Sequence, residues 1–503
     1  MANILFDTIL GNIADPEKVC LEVPGGTSVT YAALEQATAR AANALQAMGV
    51  KPGDRVAAQV EKSPQVVALY LGALRAGAVF LPLNTAYTPS EVRYFLEDAQ
   101  PSLLVCGPGT PLDSAGLAEG LGLAKATLGP DGAGTWTDAV RAASPDFVTV
   151  ERGASDLAAI LYTSGTTGRA KGAMLSHRNL ASNGTTLAQS WRFTATDVLL
   201  NALPIFHTHG LFVATNLALM TGASMLFLPR FDAAQVIGLM PRATAMMGVP
   251  TFYTRLLDHP GFTADVARHM RVFISGSAPL LAETHRAFSE RTGHAIIERY
   301  GMTETTMNAS NPYDGDRRAG TVGLPLPGVE IRVADPETGA ELATGEIGVI
   351  EVRGPNVFSG YWRMPEKTAT EFRPDGFFIT GDLGKFDEAG YLSIVGRGKD
   401  LVISGGFNVY PKEVETEIDL IDGVLESAVI GLPHRDFGEG VAAVVVAKAG
   451  AGLTEAAVQA HLSDRLARFK QPKRVFFVDD LPRNTMGKVQ KNELRARYAD
   501  TFR

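Results

Sequence analysis

The chain has 503 residues, which is too long for one ordinary hydrophobic core and predicts at least two domains. Hydrophobic residues make up 46% of the chain and charged residues 20%, and these fractions exclude the low-complexity and disordered classes. The formal net charge is -8 and no dense run of Lys or Arg occurs, so the positive field that binds a nucleic acid backbone is missing. Composition therefore favours an enzyme that acts on small molecules.

The first segment, MANILFDTIL, is unlike a targeting peptide. It has Asp7 inside its apolar run and no basic residue before it, so we expect neither a signal peptide nor an Arg-rich transit peptide. Cys20 and Cys106 lack CxxC spacing, which argues against a disulfide framework and against a zinc site. We expect a cytoplasmic protein with two buried thiols.

Short β-branched runs alternate with helical patterns between about residues 25 and 350, for example RVAAQV and SPQVVALYLGALRAG. This alternation predicts mostly parallel sheets with crossover helices, an α/β fold. From about residue 320 the pattern changes to short strands and turns, including the turn DPETG, which predicts a β-rich subdomain up to 398. Residues 399–503 return to helix and strand. We therefore predict a large N-terminal domain at 1–398 and a small α+β C-terminal domain at 399–503.

An uncharged segment at 211–229 is close to the roughly 20 residues that a membrane span needs. Thr215, Asn216, Thr221, Gly222 and Ser224 interrupt it, which favours a buried helix followed by the strand ASMLFL. No membrane partner is expected.

The segment YTSGTTGRAKG, residues 162–172, lies between two predicted strands. Its glycines let backbone N–H groups approach an anion, while its hydroxyls and its lysine supply further donors, so it indicates a polyphosphate-binding loop. The Walker A spacing G-x-x-x-x-G-K-[ST] is not present and a strand follows instead of a helix, which excludes a P-loop NTPase. The candidate phosphate ligands are Thr163, Ser164, Gly165, Thr166, Thr167, Gly168 and Lys171.

This loop and four further motifs, in order along the chain, resemble the adenylate-forming superfamily of acyl-CoA synthetases, carrier-protein adenylation domains and beetle luciferases. The further motifs are YGMTET from Tyr300, TGD from Thr380, GRGKDLVISGGFNVYPKEVE from Gly396 and PRNTMGKVQK from Pro482. The resemblance covers nearly the whole chain. It implies that a carboxylate attacks the α-phosphate of ATP, giving an acyl-adenylate and pyrophosphate, and that the thiol of coenzyme A (CoA) then displaces AMP.

The resemblance also implies residue roles. Lys488 supplies the cation between the substrate carboxylate and the α-phosphate, where negative charge spreads during the first step. Glu304 helps to hold Mg²⁺, together with Thr166, because this cation prefers oxygen ligands. Asp382 binds the ribose with help from Arg397. The remaining implied contacts with ATP are Tyr300 on one face of adenine, Ser277 and Ala278 on the other, and Glu298, Arg299, Gly301 and Thr303.

By the same resemblance, Lys399 lies at a hinge about which the C-terminal domain rotates between the two steps. Many members carry Asp at this position, so we assign no role to the charge of Lys399. Rotation brings Ser404, Gly405 and Gly406 beside the pantetheine of CoA. Acetylation of Lys488 would remove its positive charge and stop adenylation, which makes a lysine acetyltransferase and a deacetylase candidate partners.

The acid is suggested by Arg255 in VPTFYTRLLDHP. Thr251 is expected to cap a helix that follows the strand AMMGV, and Arg255 lies one turn into this helix, where it could hold a second carboxylate bidentately. An exposed arginine paired with Asp258 explains the pattern equally well. Two rival arginines rank lower, Arg286 because its helix is expected to be exposed, and Arg299 because it precedes the adenine contact.

The segments VPTFYTRLL, SGSAPL and IERYGMTETTMNASNPYDGDRRAGTVGLPLPGVEIRV resemble bacterial malonyl-CoA synthetases. This implies malonate, or methylmalonate, as the acid, with Arg255 on the distal carboxylate and His209 and Ser277 completing the pocket. His207 resembles a gating residue near the reacting carboxylate. Either histidine could instead be an ordinary core residue. An adenylation enzyme for another small acid, or one that loads a carrier-protein thiol, is the alternative.

Overall fold

The computed structural model describes residues 3–11, 13–163, 170–404, 407–434, 436–463, 465–485 and 487–502. The chain forms two compact units. The larger comprises Met1–Gly320, Leu324–Glu330 and Arg353–Phe372, and the smaller comprises Thr321–Gly323, Ile331–Val352 and Arg373–Arg503. The β-rich segment expected at about 320–398 is therefore divided between the two units. The functional boundary at 398/399 stays a prediction.

The larger unit is an α/β structure, as the alternating sequence pattern predicts. Its strands are β1 (Val19–Glu22), β2 (Ser28–Thr30), β3 (Arg55–Gln59), β4 (Val79–Pro82), β5 (Leu103–Cys106), β6 (Ala124–Thr127), β7 (Leu157–Thr163), β8 (Lys171–Ser176), β9 (Val198–Asn201), β10 (Ser224–Phe227), β11 (Ala245–Gly248), β12 (Val272–Ser275), β13 (Ile297–Met302), β14 (Thr306–Ser310) and β15 (Leu324–Pro325). Its helices are α1 (Ile4–Leu10), α2 (Tyr31–Ala47), α3 (Pro64–Arg75), α4 (Pro89–Ala99), α5 (Pro111–Ser114), α6 (Leu117–Gly120), α7 (Thr135–Ala142), α8 (His177–Ser190), α9 (Asn216–Met220), α10 (Ala233–Leu239), α11 (Pro250–Asp258), α12 (Ala264–Ala267), α13 (Ala282–Thr292) and α14 (Pro365–Thr370).

Two sheets organise the larger unit. The nine-stranded sheet has the order β15-β14-β13-β12-β11-β9-β10-β1-β2, and all of its pairs from β13 to β1 are parallel. The six-stranded sheet has the order β6-β5-β3-β4-β7-β8, with only the β7–β8 pair antiparallel. Parallel neighbours require crossover helices, and these helices cover the apolar strands.

The core beside β11, β12 and β13 is aromatic. Tyr253 of α11 and Phe288 of α13 pack edge to face, with ring centroids 5.4 Å apart, and Phe273 of β12 lies 4.9 Å from Phe288. All three side chains are fully buried. This packing fixes the ends of β12 and β13, where predicted site residues lie.

The uncharged segment at 211–229 forms a buried π-helix, His209–Thr215, then α9 and β10, which confirms the expected helix and strand. No helix in the described part of the chain is long and apolar enough to cross a membrane. Cys20 and Cys106 are buried free thiols, as expected.

The smaller unit is built from two sheets with a few helices. Its strands are β16 (Glu330–Ala334), β17 (Gly348–Arg353), β18 (Phe378–Phe386), β19 (Leu392–Arg397), β20 (Val402–Ser404), β21 (Phe407–Val409), β22 (Val424–His434), β23 (Gly438–Ala447) and β24 (Arg474–Val478), and its helices are α15 (Pro411–Asp419), α16 (Glu455–Ser463) and α17 (Lys491–Arg497). One sheet has the order β16-β17-β18-β19, and the other has β21-β20-β23-β22 with β24 paired to β23.

The DPETG turn is present after β16. The Oδ1 atom of Asp335 accepts hydrogen bonds from the backbone N–H groups of Glu337 and Thr338, at 3.1 and 2.7 Å. Helix α15 packs against both β22 and β19, so the two sheets of the smaller unit share contacts. This packing explains why part of the β-rich segment clusters with the C-terminal residues.

Candidate active site

Arg299 lies in β13 beside the end of β12 in the nine-stranded sheet. The register pairs Ser275 with Glu298, which places Gly276 next to Arg299. A Cβ atom at Gly276 would lie only 2.3 Å from Arg299 Cζ, so the guanidinium packs directly on this glycine. Any larger residue at position 276 would displace the arginine. Because Gly276 has no side chain, the Arg299 guanidinium fits beside it at the end of β12.

His209 and Ser277 meet beside this arginine. The Ser277 Oγ atom lies 3.2 Å from His209 Nδ1, and Ser277 has a left-handed φ of 72° that non-glycine residues seldom adopt. Burial, followed by the positive charges of Arg299 and His207, lowers the pKa of His209 well below its ordinary value. The backbone N–H of His209 also donates to His207 Nδ1 at 3.2 Å. The structure thus places together the two pocket residues that the sequence proposed.

The Arg299 side chain is a buried cation. It is 4% exposed, and its Nε and Nη2 atoms have no hydrogen-bond partner among the residues that the structure describes. Burial lowers the pKa of the guanidinium to about 9. A buried charge is stable only when an opposite charge or several hydrogen bonds compensate for its lost hydration. Arg299 therefore has the properties expected of an anion-binding group.

The two other candidate arginines are exposed. Arg255 lies in α11 and Arg286 in α13, and both side chains are open to solvent. The expected cap at Thr251 is wrong, because β11 ends at Gly248 and α11 begins at Pro250, with Val249 as its N-cap. Exposure of Arg286 agrees with the sequence prediction. Exposure of Arg255 matches the alternative that the sequence left open, and the structure thereby reverses the ranking of Arg255 and Arg299 by burial.

The loop that the sequence suggests as a phosphate-binding site connects β7 and β8, as predicted. Thr163 and Lys171 pair across the base of the loop. Ser164, Gly165, Thr166, Thr167 and Gly168 lie outside the described residues. The predicted strand–loop–strand arrangement is therefore confirmed at both ends of the loop.

Lys171 and Glu304 are linked through Tyr361, which the sequence analysis did not single out. Lys171 Nζ lies 4.2 Å from the centroid of the Tyr361 ring, and the Tyr361 hydroxyl donates to Glu304 Oε1 at 3.0 Å. Glu371 approaches the same lysine, with 3.8 Å between Oε1 and Nζ. The segment FSGYWR carries no charged pattern that would have indicated such a link. The structure thus joins the loop lysine to the carboxylate that was expected to hold Mg²⁺.

The motif YGMTET forms the hairpin between β13 and β14. Tyr300 is 8% exposed, and a Cβ at Gly301 would lie 1.8 Å from the Thr306 carbonyl oxygen, so this hairpin requires glycine there. Thr303 lies in the turn, directly before Glu304. The hairpin therefore holds the buried carboxylate of Glu304 at the end of β13.

Two further predicted contacts with ATP flank this hairpin. Glu298 Oε1 accepts from the backbone N–H of Leu280 at 3.1 Å, which ties the segment after Ala278 to β13. Glu298 and Arg299 are thus neighbours in one strand, but Glu298 Oε1 accepts from Leu280, whereas Arg299 Nε and Nη2 have no partner in the described part of the chain.

In the smaller unit, Asp382 and Arg397 are brought together by the β18–β19 register, which pairs them directly. Arg397 Nε lies 2.7 Å from Asp382 Oδ1. The backbone N–H of Asp382 donates to Thr380 Oγ1 at 3.0 Å, and Gly381 has a φ of 72°, so the TGD motif is an irregularity within β18, where the register with β17 shifts. The predicted ribose pair is thus in mutual contact.

Lys488 is exposed on a hairpin of the smaller unit. The backbone N–H of Lys488 donates to Asn484 Oδ1 at 3.0 Å, and its carbonyl accepts from Asn484 N at 3.0 Å. Lys399 is exposed on a 3₁₀ turn, Gly398–Asp400, between the two sheets. Ser404 ends β20 and is buried, whereas Gly405 and Gly406 lie outside the described residues.

Comparison with known proteins places this site in a family. The AMP-binding enzyme family matches residues 13–362, and the AMP-binding enzyme C-terminal domain matches residues 413–488. The chain belongs to the AMP-binding enzyme family. It is an AMP-forming acid–CoA ligase that uses ATP and CoA and proceeds through an acyl-adenylate.

Several relatives cover almost the whole ligase. ATP-bound MatB from Rhodopseudomonas palustris superposes with a TM-score of 0.98 and 62% identity over 100% of both chains. A feruloyl-CoA synthase from an Amycolatopsis species is 37% identical over 94% of this chain and 95% of its own length. A malonate–CoA ligase from Arabidopsis thaliana is 34% identical over 90% of this chain and 79% of its own length.

Proposed function

We propose that this ligase activates malonate and joins it to CoA. The observation that carries the proposal is the buried Arg299 guanidinium, which has two donor groups without a partner in the described structure. A second carboxylate on the acid would supply the missing charge and accept bidentate hydrogen bonds. A monocarboxylic acid would leave the arginine uncompensated. Resemblance to bacterial malonyl-CoA synthetases and to the Arabidopsis malonate–CoA ligase supports the same substrate.

In this proposal Arg299, and not Arg255, binds the distal carboxylate of malonate. His209 and Ser277 complete this end of the pocket, and His209 stays neutral because its pKa is so strongly lowered. A neutral imidazole beside the cation donates or accepts hydrogen bonds without adding charge. His207 keeps its proposed place near the reacting carboxylate. Methylmalonate carries the same two carboxylates and is the second candidate acid.

The ATP roles that the sequence resemblance implies fit the observed contacts. Lys171 and the loop after Thr163 would hold the β- and γ-phosphates, and Tyr300 would pack on adenine. Asp382 would accept both ribose hydroxyls, with Arg397 setting its orientation at 2.7 Å. Lys488 would place its ammonium group between the acid and the α-phosphate, where charge develops.

Glu304 would hold Mg²⁺ in this proposal. The described residues contain no group of three His, Cys, Asp or Glu side chains that could hold a metal alone. A single buried carboxylate suits Mg²⁺, which takes few protein ligands and completes its shell with phosphate oxygens and water. When bound, the cation neutralises part of the phosphate charge. Tyr361, by donating to Glu304 Oε1, would fix the orientation of the carboxylate.

Three other sequence predictions remain proposals. Ser404, Gly405 and Gly406 would lie along the pantetheine of CoA, and Lys399 would serve as the hinge. Acetylation of Lys488 would silence adenylation by removing its charge. We also retain a cytoplasmic location, with which two buried free thiols agree.

The test is an acid panel with the wild-type enzyme. Pyrophosphate release is measured with malonate, methylmalonate, succinate, acetate and benzoate, and the CoA thioester is identified by mass spectrometry. We expect malonate to give the highest kcat/KM and free CoA to be the acceptor. A preference for acetate or benzoate would refute the dicarboxylate assignment. Adenylation without thioester formation would favour the alternative, a carrier-protein acceptor.

A further inference from the structure

The hairpin that carries Lys488 is short, and most of its described residues are half-buried, with Thr485 and Lys488 exposed. It closes with a bridge between Arg483 and Val489, and Gly487 turns the chain with a φ of 75°. Backbone hydrogen bonds inside the hairpin join Asn484 to Gly487 and Lys488. Apolar packing holds the hairpin at Val489, which lies against the core cluster that contains Leu481 and Leu494. The turn beyond Val489, with Asn484, Gly487 and Lys488, depends on polar contacts, because a short hairpin alone is at most marginally stable.

Arg483 attaches the first arm of the hairpin to the sheet. Its Nη1 atom donates to the Gly487 carbonyl at 2.7 Å, and its Nη2 atom donates to the Glu426 carboxylate in β22. One guanidinium thus holds the turn before Lys488 and the adjacent strand at the same time. The rigid fork of arginine makes both contacts directional.

Lys491 attaches the other arm. Its Nζ atom lies 2.5 Å from Glu415 Oε1, and this carboxylate also accepts from the backbone N–H of Val429 at 2.9 Å. Glu415 is 7% exposed, so its orientation in α15 is fixed by packing. Lys488 therefore lies between two ion pairs, one five residues before it and one three residues after it, that both end on β22 or on the helix packed against it.

We propose that the Arg483–Glu426 and Lys491–Glu415 ion pairs form a clamp that positions Lys488 for adenylation. The proposal rests on the role of Lys488 in the proposed function. Partly exposed ion pairs add little to global stability. Their effect on a loop is to restrict its conformations, and a lysine that must meet developing charge within about 1 Å gains from such restriction. Arg483, Lys491, Glu415 and Glu426 are thus positioning residues.

The experiment separates the two half-reactions. Adenylation is followed by pyrophosphate release with malonate and ATP. The second step is followed with supplied malonyl-adenylate and CoA, where the thiol sulfur attacks the acyl carbonyl, loses its proton, and AMP leaves. Hydrogen exchange of amides at 483–490 reports the order of the hairpin without requiring activity. The variants are Arg483→Gln, Lys491→Gln, Lys491→Arg and Lys488→Ala.

Lys470→Gln is the matched control. It breaks a 2.5 Å ion pair with Glu413, also on α15 and comparably exposed, but this pair does not contact the hairpin. We expect Arg483→Gln and Lys491→Gln to lower the kcat of adenylation by about 10- to 100-fold and to speed exchange of the hairpin amides. The second step should stay within about twofold of wild type. Lys491→Arg, which keeps the positive charge, should retain adenylation. Lys470→Gln should change none of the three measurements.

Two outcomes overturn the clamp. One is normal adenylation in Arg483→Gln and Lys491→Gln while Lys488→Ala is impaired. The other is an equal loss in both half-reactions, which would indicate a general structural defect. If Lys488→Ala itself adenylates malonate normally, then Lys488 is not needed for adenylation. The proposed role of Lys488 is then wrong, and a clamp that positions it has no function in this step.

Discussion

Arg299 in the larger unit and Lys488 in the smaller unit are two cations held in opposite ways. Arg299 is 4% exposed and packs on the bare backbone of Gly276, with two of its nitrogen atoms unpartnered in the described structure. Lys488 is exposed on a hairpin that ion pairs fasten on both sides. The first cation has a fixed position and lacks a charge partner. Lys488 is exposed to solvent, and its role depends on the position in which the hairpin holds it.

In the proposed function the two cations therefore affect different properties, namely the choice of acid for Arg299 and the rate of the chemical step for Lys488. A buried guanidinium loses hydration whatever acid is present, so its free energy depends strongly on whether an anion arrives. An exposed ammonium group loses little, and its contribution depends on where it can be placed when charge develops. We therefore infer that the larger unit selects the acid, while the smaller unit contributes a positioned charge.

The largest expected effect comes from Arg299→Met, which removes the buried charge with little change in volume. We expect kcat/KM for malonate to fall about 100- to 1000-fold, because the distal carboxylate would enter a pocket without a cation. Activity with acetate should not fall. The thermal midpoint should stay the same or rise, since an uncompensated charge is removed. Steady-state pyrophosphate release and a thermal melt measure these quantities.

Arg255→Ala is the matched control for this prediction. Arg255 is exposed in α11, so its removal should leave malonate kinetics within about twofold of wild type, as is usual for surface substitutions. Loss of malonate activity in Arg255→Ala, with normal activity in Arg299→Met, would show that the ranking drawn from the sequence was right and that the ranking drawn from burial was not.

A smaller effect is expected from Lys62→Met, which tests the opposite kind of buried cation. Lys62 is buried in the larger unit, but its Nζ atom donates to the carbonyl oxygens of Asn201 and Leu203 at 2.8 and 2.9 Å and to Asn201 Oδ1 at 3.3 Å. It also lies 4.2 Å from the centroid of the Phe227 ring. Three acceptors match the three N–H groups of an ammonium ion.

Removing this ammonium should therefore destabilise the fold, by about 2 to 4 kcal/mol, because the buried Leu203 carbonyl loses the Lys62 donor and the Asn201 carbonyl keeps only the hydrogen bond from the Leu228 N–H. The thermal midpoint should fall for Lys62→Met and should not fall for Arg299→Met. Equal midpoints for the two variants would contradict the distinction between a satisfied and an unsatisfied buried cation.

Sequence reasoning predicted those parts of the site that depend on local pattern. Strand periodicity placed the glycine-rich loop between two strands, β7 and β8, and the family resemblance implied that Asp382 and Arg397 act together, which agrees with their pairing across β18 and β19. Sequence reasoning and side-chain burial rank the arginines differently, because burial is not a local property. Arg255 and Arg299 both lie in segments that contain aromatic and apolar residues, FYTRLL and IIERY.

What distinguishes the two arginines is the neighbouring strand. Arg299 is buried because β13 pairs with β12 and Gly276 leaves space beside it, and this register cannot be read from the residues around position 299. Tyr361 was missed for the same reason, since its contacts with Lys171 and Glu304 cross almost 200 and almost 60 residues of chain. Long-range contacts of this kind follow from topology and not from motif spacing.

The smallest expected effect concerns Asp419, a half-buried carboxyl group in the smaller unit whose contribution to stability depends on pH instead of on substrate. Asp419 ends α15 and accepts from Ser427 Oγ at 2.7 Å. Burial raises the pKa of its carboxyl group from 3.8 to about 7, although nearby Lys412 acts in the opposite direction. The folded chain therefore keeps a proton that the unfolded chain loses first, and stability falls as pH rises from about 4 to a little above 7.

Asp419→Asn should remove this dependence while its amide oxygen still accepts from Ser427. The free energy of unfolding of the variant minus that of wild type should increase by about 2 to 3 kcal/mol from pH 5 to pH 8. Urea unfolding of the smaller unit at each pH measures this difference. Asp422→Asn, at an exposed neighbouring carboxylate, is the control and should follow wild type at both pH values. An equal gain at pH 5 and pH 8 would mean that Asp419 is not protonated in the folded chain. In that case the Asp419 carboxylate would be exposed to solvent, as Lys488 is. Burial would then not control the ionisation of Asp419, in contrast to its effect on Arg299.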